Sequence, residues 1–477
     1  MRKSLVIALV VSLFVGIPHV RGERIRPAQV AGLFYPDSGP ILREKIDGYL
    51  GEVEDQPLLG RLVALIVPHA GYEFSGKVAT YAYKQLLKRQ FNTIILIGPS
   101  HHRYFRGISV YGEGMFETPL GKIPIDKDLA SAIIKESEII TFNPEHHLKE
   151  HSLEVQLPFL QRTSKDFKIV PILMGDQSKP FCDILSQTLT KVLKKEKKKV
   201  LLIASTDFSH YYPYNEAVKK DKIAFSIIQK MDKDELITGL AKGEVEMCGG
   251  GPAAVAIEVA KGLRADKIKL LNHANSGDVT KDFSRVVGYA SFALYSTDQL
   301  NKEAQIELLK IARRSIAEYL ETKKSPSFKP ISALIKEDRG VFVTLTKDEK
   351  LRGCIGYTFP IKPLYEAVRD TAIKAATQDL RFPPVTKDEL NKIKITISIL
   401  SPIEEAKDIN LIQPGTHGLY ITQGWQSGLL LPQVAKERKW SRDEFLKQGC
   451  LKAGLPPDAY KKGARIHIFT AQVFDEE

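Results

Sequence analysis

Residues 95–105, "ILIGPSHHRYF", carry the pattern from which the architecture can be read. Ile95, Leu96 and Ile97 make the apolar run of a strand buried on both faces. Gly98, Pro99 and Ser100 end it, so His101 and His102 stand just past the carboxyl end of a strand. The same arrangement recurs twice: "ALIVPHAG" puts His69 past a strand, and "LLIASTDFSH" does so with Asp207 and His210. In an open α/β sheet, positions just beyond the carboxyl ends of parallel strands share one crevice. The strands are therefore scaffold, and the polar groups at their ends are presented to a common site.

On either side of this stretch, strand candidates at 62–67, 93–98, 168–174, 199–205, 268–273 and 286–294 alternate with amphipathic helical patterns such as "GKVATYAYKQLLK" and "FCDILSQTLTKVLKK". That alternation predicts an α/β domain with a mostly parallel sheet over residues 23–297. A helix is expected from about 302 to 320, with Leu308, Ile311, Ala312, Ser315, Ile316, Tyr319 and Leu320 at helical spacing. "TKKSPSFKP" comes next as a surface loop. Beyond it, "GVFVTLTKDEKLRGCIGY", "KITISIL", "HGLYITQGWQSGLLLPQ" and "RIHIFTAQVF" read as hairpins and antiparallel strands, giving an α+β domain over 298–477. Two domains suit 477 residues, because a single core stops growing near roughly 250–300.

A hydrophobic content of 43% and a charged content of 26% match ordinary globular chains and exclude a polytopic membrane protein. Residues 1–22 have a basic start, Arg2 and Lys3, and an apolar run over 5–15. They read as a secretory signal or an uncleaved anchor, which places the protein outside the cytoplasm or on the inner membrane. The net charge of +12, less Arg2, Lys3 and Arg21, leaves +9. Its densest run, "KKEKKK" at 194–199, closes a predicted helix, where cations favour the dipole. No aromatic-studded basic groove accompanies it, so no nucleic-acid partner is expected. Four cysteines in so long a chain do not make a disulfide framework.

Eight of the 11 histidines fall between His69 and His273. "EMCGGGPAAVAIEVA" adds Cys248, just before a glycine-rich turn and the start of a helix, where the dipole favours the thiolate. The run matches neither a phosphate-binding loop nor a dinucleotide fingerprint. Two neutral imidazoles and one anionic ligand suit a divalent transition metal with open positions; iron, copper and zinc all fit. Taken singly, each histidine could be a satisfied core residue and Cys248 a small buried hydrophobe; it is their convergence that argues for a site. "LKEHSLEVQLPFL" puts His151 and Glu154 on one face of a predicted helix, as pocket neighbours, acid and base groups, or mere surface. His102 is a further pocket neighbour, while His146 and His147 lie in a loop and take no role. In the second domain Cys354 is a candidate nucleophile or ligand and Arg352 a candidate anion binder, against a packed hairpin as the plain alternative. His417 and Trp425 flank a hairpin that could wall a pocket.

In order along the chain, "PHAGYEFSG", "GPSHH", "EHSLEVQLPF", "STDFSHY" and "CGGGP" resemble the Memo family over about residues 25–296; its fold is similar to that of class III extradiol dioxygenases. The resemblance implies His69, His101 and Cys248 as metal ligands, with Asp207 and His210 as polar neighbours. Those dioxygenases hold ferrous iron with two histidines and a carboxylate, a place that Cys248 takes here. Residues 300–477 resemble the AMMECR-type domain through "LRGCIGY", "SPIEE", "GTHGLYI" and "GLLLPQVAKERKW". Fusion of the two implies a separate radical S-adenosylmethionine enzyme as partner, because this chain carries no three-cysteine cluster motif. The function expected is a metal-dependent, dioxygenase-like oxidoreductase using iron or copper on an unknown small substrate. His210, oriented by Asp207, would be its general acid or base. A non-catalytic metal- or peptide-binding adaptor is the alternative, and a zinc hydrolase a third reading.

Overall fold

The computed structural model describes residues 24–58, 60–406 and 408–476. The leader expected over 1–22 lies outside the described residues. Among the described residues, no helix is long and apolar enough to cross a membrane. The chain forms two compact units, divided between Asp298 and Gln299.

The first unit is built on a nine-stranded sheet. At its centre Arg61–Val67, Val200–Ser205, Thr93–Pro99 and Lys168–Met174 run parallel as successive neighbours. All seven residues of Thr93–Pro99 are buried, as a strand covered on both faces requires. Lys267–Asn275 and Val286–Ser296 join this core antiparallel, one on the other and then on Arg61–Val67. The connection 276–285 between them is too short for the crossover that a parallel pair needs. Helix Gly250–Gly262 packs on Val200–Ser205 and Arg61–Val67, and ten of its residues are buried, which explains a sequence that is apolar all round. Tyr72–Lys84 packs on Val286–Ser296, and Lys179–Leu193 lies on Gly250–Gly262 and buries Phe181, Cys182, Leu185 and Leu189. Val67 pairs with Ser205, and Pro99 with Met174. The carboxyl ends of the parallel strands therefore share one edge, and the segments leaving those ends are gathered there.

In the second unit, helix Lys302–Thr322 buries Leu308, Ile311, Ala312, Ser315, Ile316 and Leu320. With Leu364–Thr377 it covers the apolar face of a four-stranded antiparallel sheet. Val341, Val343 and Leu345 alternate inward along one strand, and Ile393, Ile395, Ile397 and Ile399 along its neighbour. A second four-stranded sheet encloses its own core around Leu419, Ile421, Phe445 and Leu446. The run "RIHIFTAQVF" splits into Arg465–Phe469 and Ala471–Asp475, which belong to different sheets. Between them Thr470 exchanges hydrogen bonds with Ser401 through its N–H and C=O. All four cysteines are free.

Candidate metal centre

His69 comes just after Arg61–Val67 and is 2% exposed. Its Nδ1 lies 2.9 Å from Ser205 Oγ. That hydroxyl has one proton, which it donates to the carbonyl of Ser152 at 2.6 Å, and it accepts from Gln156 Nε2 at 2.8 Å. Ser205 must therefore accept from His69, which fixes the Nδ1–H tautomer and leaves the lone pair on Nε2. His101 is set in the same way: its Nδ1 meets Glu150 Oε1 at 2.9 Å, and its N–H donates to the other oxygen at 2.6 Å. Burial pushes the Glu150 carboxyl up, but its hydrogen bonds to His101 and Ser152 outweigh that and hold it well below the usual carboxylate range. An ionised Glu150 can only accept, so the His101 Nδ1 carries the proton and donates it as a hydrogen bond, and this Nε2 too is free to bind.

The third ring comes from His151. One ligand atom each from His69, His101 and His151 lies within 4.8 Å of the others. The His101 and His151 rings stack with centroids 4.5 Å apart, and Phe34 covers the His151 ring at 4.7 Å. Burial, helped by the repulsion of His101 and His102, holds His151 down at about 4 against the opposing pull of Glu150. His69 is also lowered, chiefly by burial and then by His101 and His151. Neutral imidazoles are the form that binds a metal.

Cys248 stands outside that trio and reaches it through one member: its Sγ is 3.2 Å from His69 Nε2. The glycines after it are what bring it so near. A β-carbon at Gly249 would lie 2.2 Å from the Ser205 carbonyl oxygen, so only glycine lets this turn press against the end of Val200–Ser205. The thiol itself departs from expectation. Burial, reinforced by the charge of Asp207, raises its pKa and outweighs the hydrogen bonds from Asp207 N and Thr206. The helix dipole does not carry the effect expected of it, since the thiol is desolvated.

Asp207 is 5% exposed, and burial lifts its carboxyl to about 7 against the opposing N–H groups of His69 and Ala70. Its Oδ1 accepts from His69 N at 2.9 Å, and its Oδ2 lies 3.8 Å from His69 Nε2. The carboxylate beside His210 is instead Glu246: Oε1 accepts the His210 N–H at 3.0 Å and lies 3.5 Å from Nδ1. Asp207 is turned inward by the amides it caps, so the expected orientation of His210 by Asp207 is corrected to one by Glu246.

His151 and Glu154 do not share a helix face. The α-helix begins only at Leu157, with Pro158 in its first turn, and the two side chains go to different places. Glu154 is fully buried and bound to Arg26 at 2.6 Å. His102 is exposed, its ring 5.8 Å from that of His151. In the second unit, Arg352 spends its guanidinium on Glu389 and on the carbonyls of Pro383 and Pro384, which leaves it as an anchor and not an anion receptor. Cys354 Sγ accepts from Thr344 Oγ1 at 3.2 Å, and its amide donates to Asp379. His417 is buried and Trp425 is 93% exposed, so they do not form one wall.

Sequence reasoning missed Glu150, Ser205, Gln156 and Glu246. The pair Glu150-His151 was the available signal, since a carboxylate beside an imidazole is the usual orienting group of a metal-binding histidine.

The Memo-like protein family model matches residues 26–293. A MEMO1 family protein of Methanococcus vannielii is 40% identical over 283 residues, 57% of this chain and 99% of that protein. The chain belongs to the Memo family. Another member, from Methanocaldococcus jannaschii, is 37% identical over 56% of this chain and 98% of its own length. The AMMECR1 family model matches residues 309–474, so the chain is a fusion of a Memo unit and an AMMECR1 unit. The crystal structure of an uncharacterized protein from Pyrococcus horikoshii is 42% identical to it, at a TM-score of 0.35, covering 36% of this chain and 90% of that one.

Proposed function

We propose that the Memo unit is a metal-dependent oxidoreductase whose ion is held by His69 and His101, with His151 and Cys248 completing the donor set. The observation that carries this reading is the pair of fixed tautomers. Ser205 and Glu150 each bind an Nδ1 and leave an Nε2 lone pair unused, in a group where one ligand atom each from His69, His101 and His151 lies within 4.8 Å of the others. The 3.2 Å between His69 Nε2 and Cys248 Sγ is short enough for both atoms to bond one ion at lengths of about 2.0 and 2.3 Å. Imidazoles with a thiolate favour iron or copper over harder ions. Bound there, such an ion supplies redox chemistry toward dioxygen and a small organic substrate.

The chain's own groups do the rest. Cys248 would hold the ion as its thiolate, because a thiol must be deprotonated to bind. Asp207, poised near neutrality and 3.8 Å from His69 Nε2, holds or returns a proton at Oδ2. His210, partly buried and backed by Glu246, moves a second proton at its ring. Phe34 shields the His151 side from water, while the His101 side chain, 29% exposed, marks the side from which a substrate arrives.

Metal analysis of the purified full chain beside His69→Ala, His101→Ala and Cys248→Ser tests the ligands; the parent should retain iron or copper and the variants should lose it. Equal metal in parent and variants sinks the assignment. Oxygen consumption by the loaded protein over phenols and thiols tests the chemistry. Metal without turnover would leave a metal-binding adaptor.

A further inference from the structure

The segment that brings His151 and Glu150 to the metal centre has almost no regular structure of its own. Between the short turn Pro144–His147 and the helix that begins at Leu157, only a single turn Glu154–Gln156 interrupts irregular chain. No sheet ladder holds residues 148–153, yet they supply one ring of the trio and the carboxylate that fixes another. Something from elsewhere must hold them.

That something is Arg26, which lies more than a hundred residues earlier in the chain and is 1% exposed. Each arm of its guanidinium is used on this one segment. Nε donates to the carbonyl of His147 at 2.7 Å, Nη2 to the carbonyl of Glu150 at 2.6 Å, and Nη1 to Glu154 Oε2 at 2.6 Å. Glu154 is fully buried, and its carboxylate is filled in turn by the N–H groups of Gln29 and Val30, at 2.8 and 2.9 Å, and by Tyr35 Oη at 2.7 Å. The Arg26 guanidinium also lies 4.9 Å over the Phe116 ring. Residues 147–154 are thus gripped at the start, middle and end by one planar fork, and His151 sits between the second and third grips.

We infer that the buried pair Arg26–Glu154 is a positioning device for the metal centre, holding residues 147–154 so that Glu150 and His151 meet His101 and His69 before an ion arrives. The inference rests on the metal reading of the Memo unit. A buried ion pair is weak evidence for net stability, since desolvation offsets most of its attraction, and fixing one conformation is a better-supported use. A fork that takes two backbone carbonyls as well as a carboxylate restricts rotation and translation together, which a point charge does not.

The experiment uses the full chain loaded with cobalt(II), whose visible bands report the number and arrangement of its ligands. The parent is compared with Arg26→Lys, Glu154→Gln and Tyr35→Phe, and with Leu189→Ala, a buried site on Lys179–Leu193 that lowers stability away from the centre. Arg26→Lys and Glu154→Gln should weaken cobalt affinity on the order of tenfold and shift the visible bands, as loss of an outer support of metal ligands does. Tyr35→Phe, which removes one hydrogen bond and keeps the ion pair, should weaken affinity a few-fold with the fold intact. Leu189→Ala should lower the melting temperature and leave affinity and bands at parent values. Bands and affinities of folded Arg26→Lys and Glu154→Gln equal to the parent's overturn the inference while leaving the metal reading in place. If those two fail to fold, an unchanged Tyr35→Phe overturns it. A parent that binds no cobalt overturns the metal reading instead.

Discussion

Glu150 holds His101 at two points, taking its ring Nδ1 at 2.9 Å with one carboxylate oxygen and its backbone N–H at 2.6 Å with the other. Such a grip fixes both the tautomer and the direction of the ring. Glu150→Ala should therefore lower iron or copper affinity about 10- to 100-fold. Glu150→Gln should lower it less, because an amide oxygen still accepts from Nδ1. Calorimetric titration of the metal-free chain measures both, and equal affinities for parent and Glu150→Ala would refute the role.

The second prediction concerns how Cys248 reaches His69. A methyl group at Gly249 would press on the Ser205 carbonyl from 2.2 Å and on the Thr206 side chain from 2.8 Å. Gly249→Ala should push the turn off the strand end and carry the sulfur away from His69 Nε2. Any thiolate-to-metal absorption of the copper-loaded parent should be lost in Gly249→Ala, while circular dichroism stays close to the parent's.

Much of this site was legible because strand ends obey a simple rule. Ile95–Ile97 and Leu65–Val67 are too apolar for anything but buried strands, so His101 and His69 had to fall on the same edge of the sheet. The path of the chain from Glu150 to Glu154 was not legible, because it is dictated by Arg26, 124 residues away from Glu150. No local pattern distinguishes His151 and Glu154 on one helical face from the same residues in a turn gripped from afar. Glu246 was missed for a like reason: it sits 36 residues beyond His210, and only the fold makes them neighbours. In the second unit the alternation of Val341, Val343 and Leu345 announced the sheet. The break at Thr470, where a single apparent run changes sheets, depends on Ser401 and left no mark in the local sequence.

His147 gives stability a pH dependence. It is 1% exposed, and burial, followed by the nearby Arg26 charge, depresses its pKa to about 3. Its Nε2 lies 3.1 Å from Ser109 Oγ. In the unfolded chain the same imidazole titrates near 6.5. The unfolded state therefore binds a proton that the folded state refuses between these values, and stability falls as pH drops from about 6.5 toward 3, by up to a few kcal/mol. Urea unfolding of the parent at pH 7 and 4.5 should show the loss, and His147→Gln should reduce it, the buried His69 and His151 contributing the remainder. A slope unchanged by that substitution would assign the loss to other groups.

The last prediction separates an anchor from a receptor at Arg352. Its Nη1 donates to the Pro383 carbonyl at 2.7 Å and its Nη2 to Glu389 Oε2 at 3.0 Å, while Lys347 also reaches Glu389 at 3.0 Å. Those contacts tie the edge strand Lys350–Tyr357 to the segment 383–389 and leave the guanidinium side chain 12% exposed. An anion receptor would keep its donors turned to solvent. Arg352→Ala should cost about 2 kcal/mol, since carbonyls and a carboxylate lose a charged donor together, and Arg352→Lys should recover only part of it, because an ammonium cannot reproduce the fork. Added phosphate or sulfate should raise the melting temperature of parent and Arg352→Ala equally. A stabilisation by phosphate that vanishes in Arg352→Ala would restore the receptor role and displace the anchor.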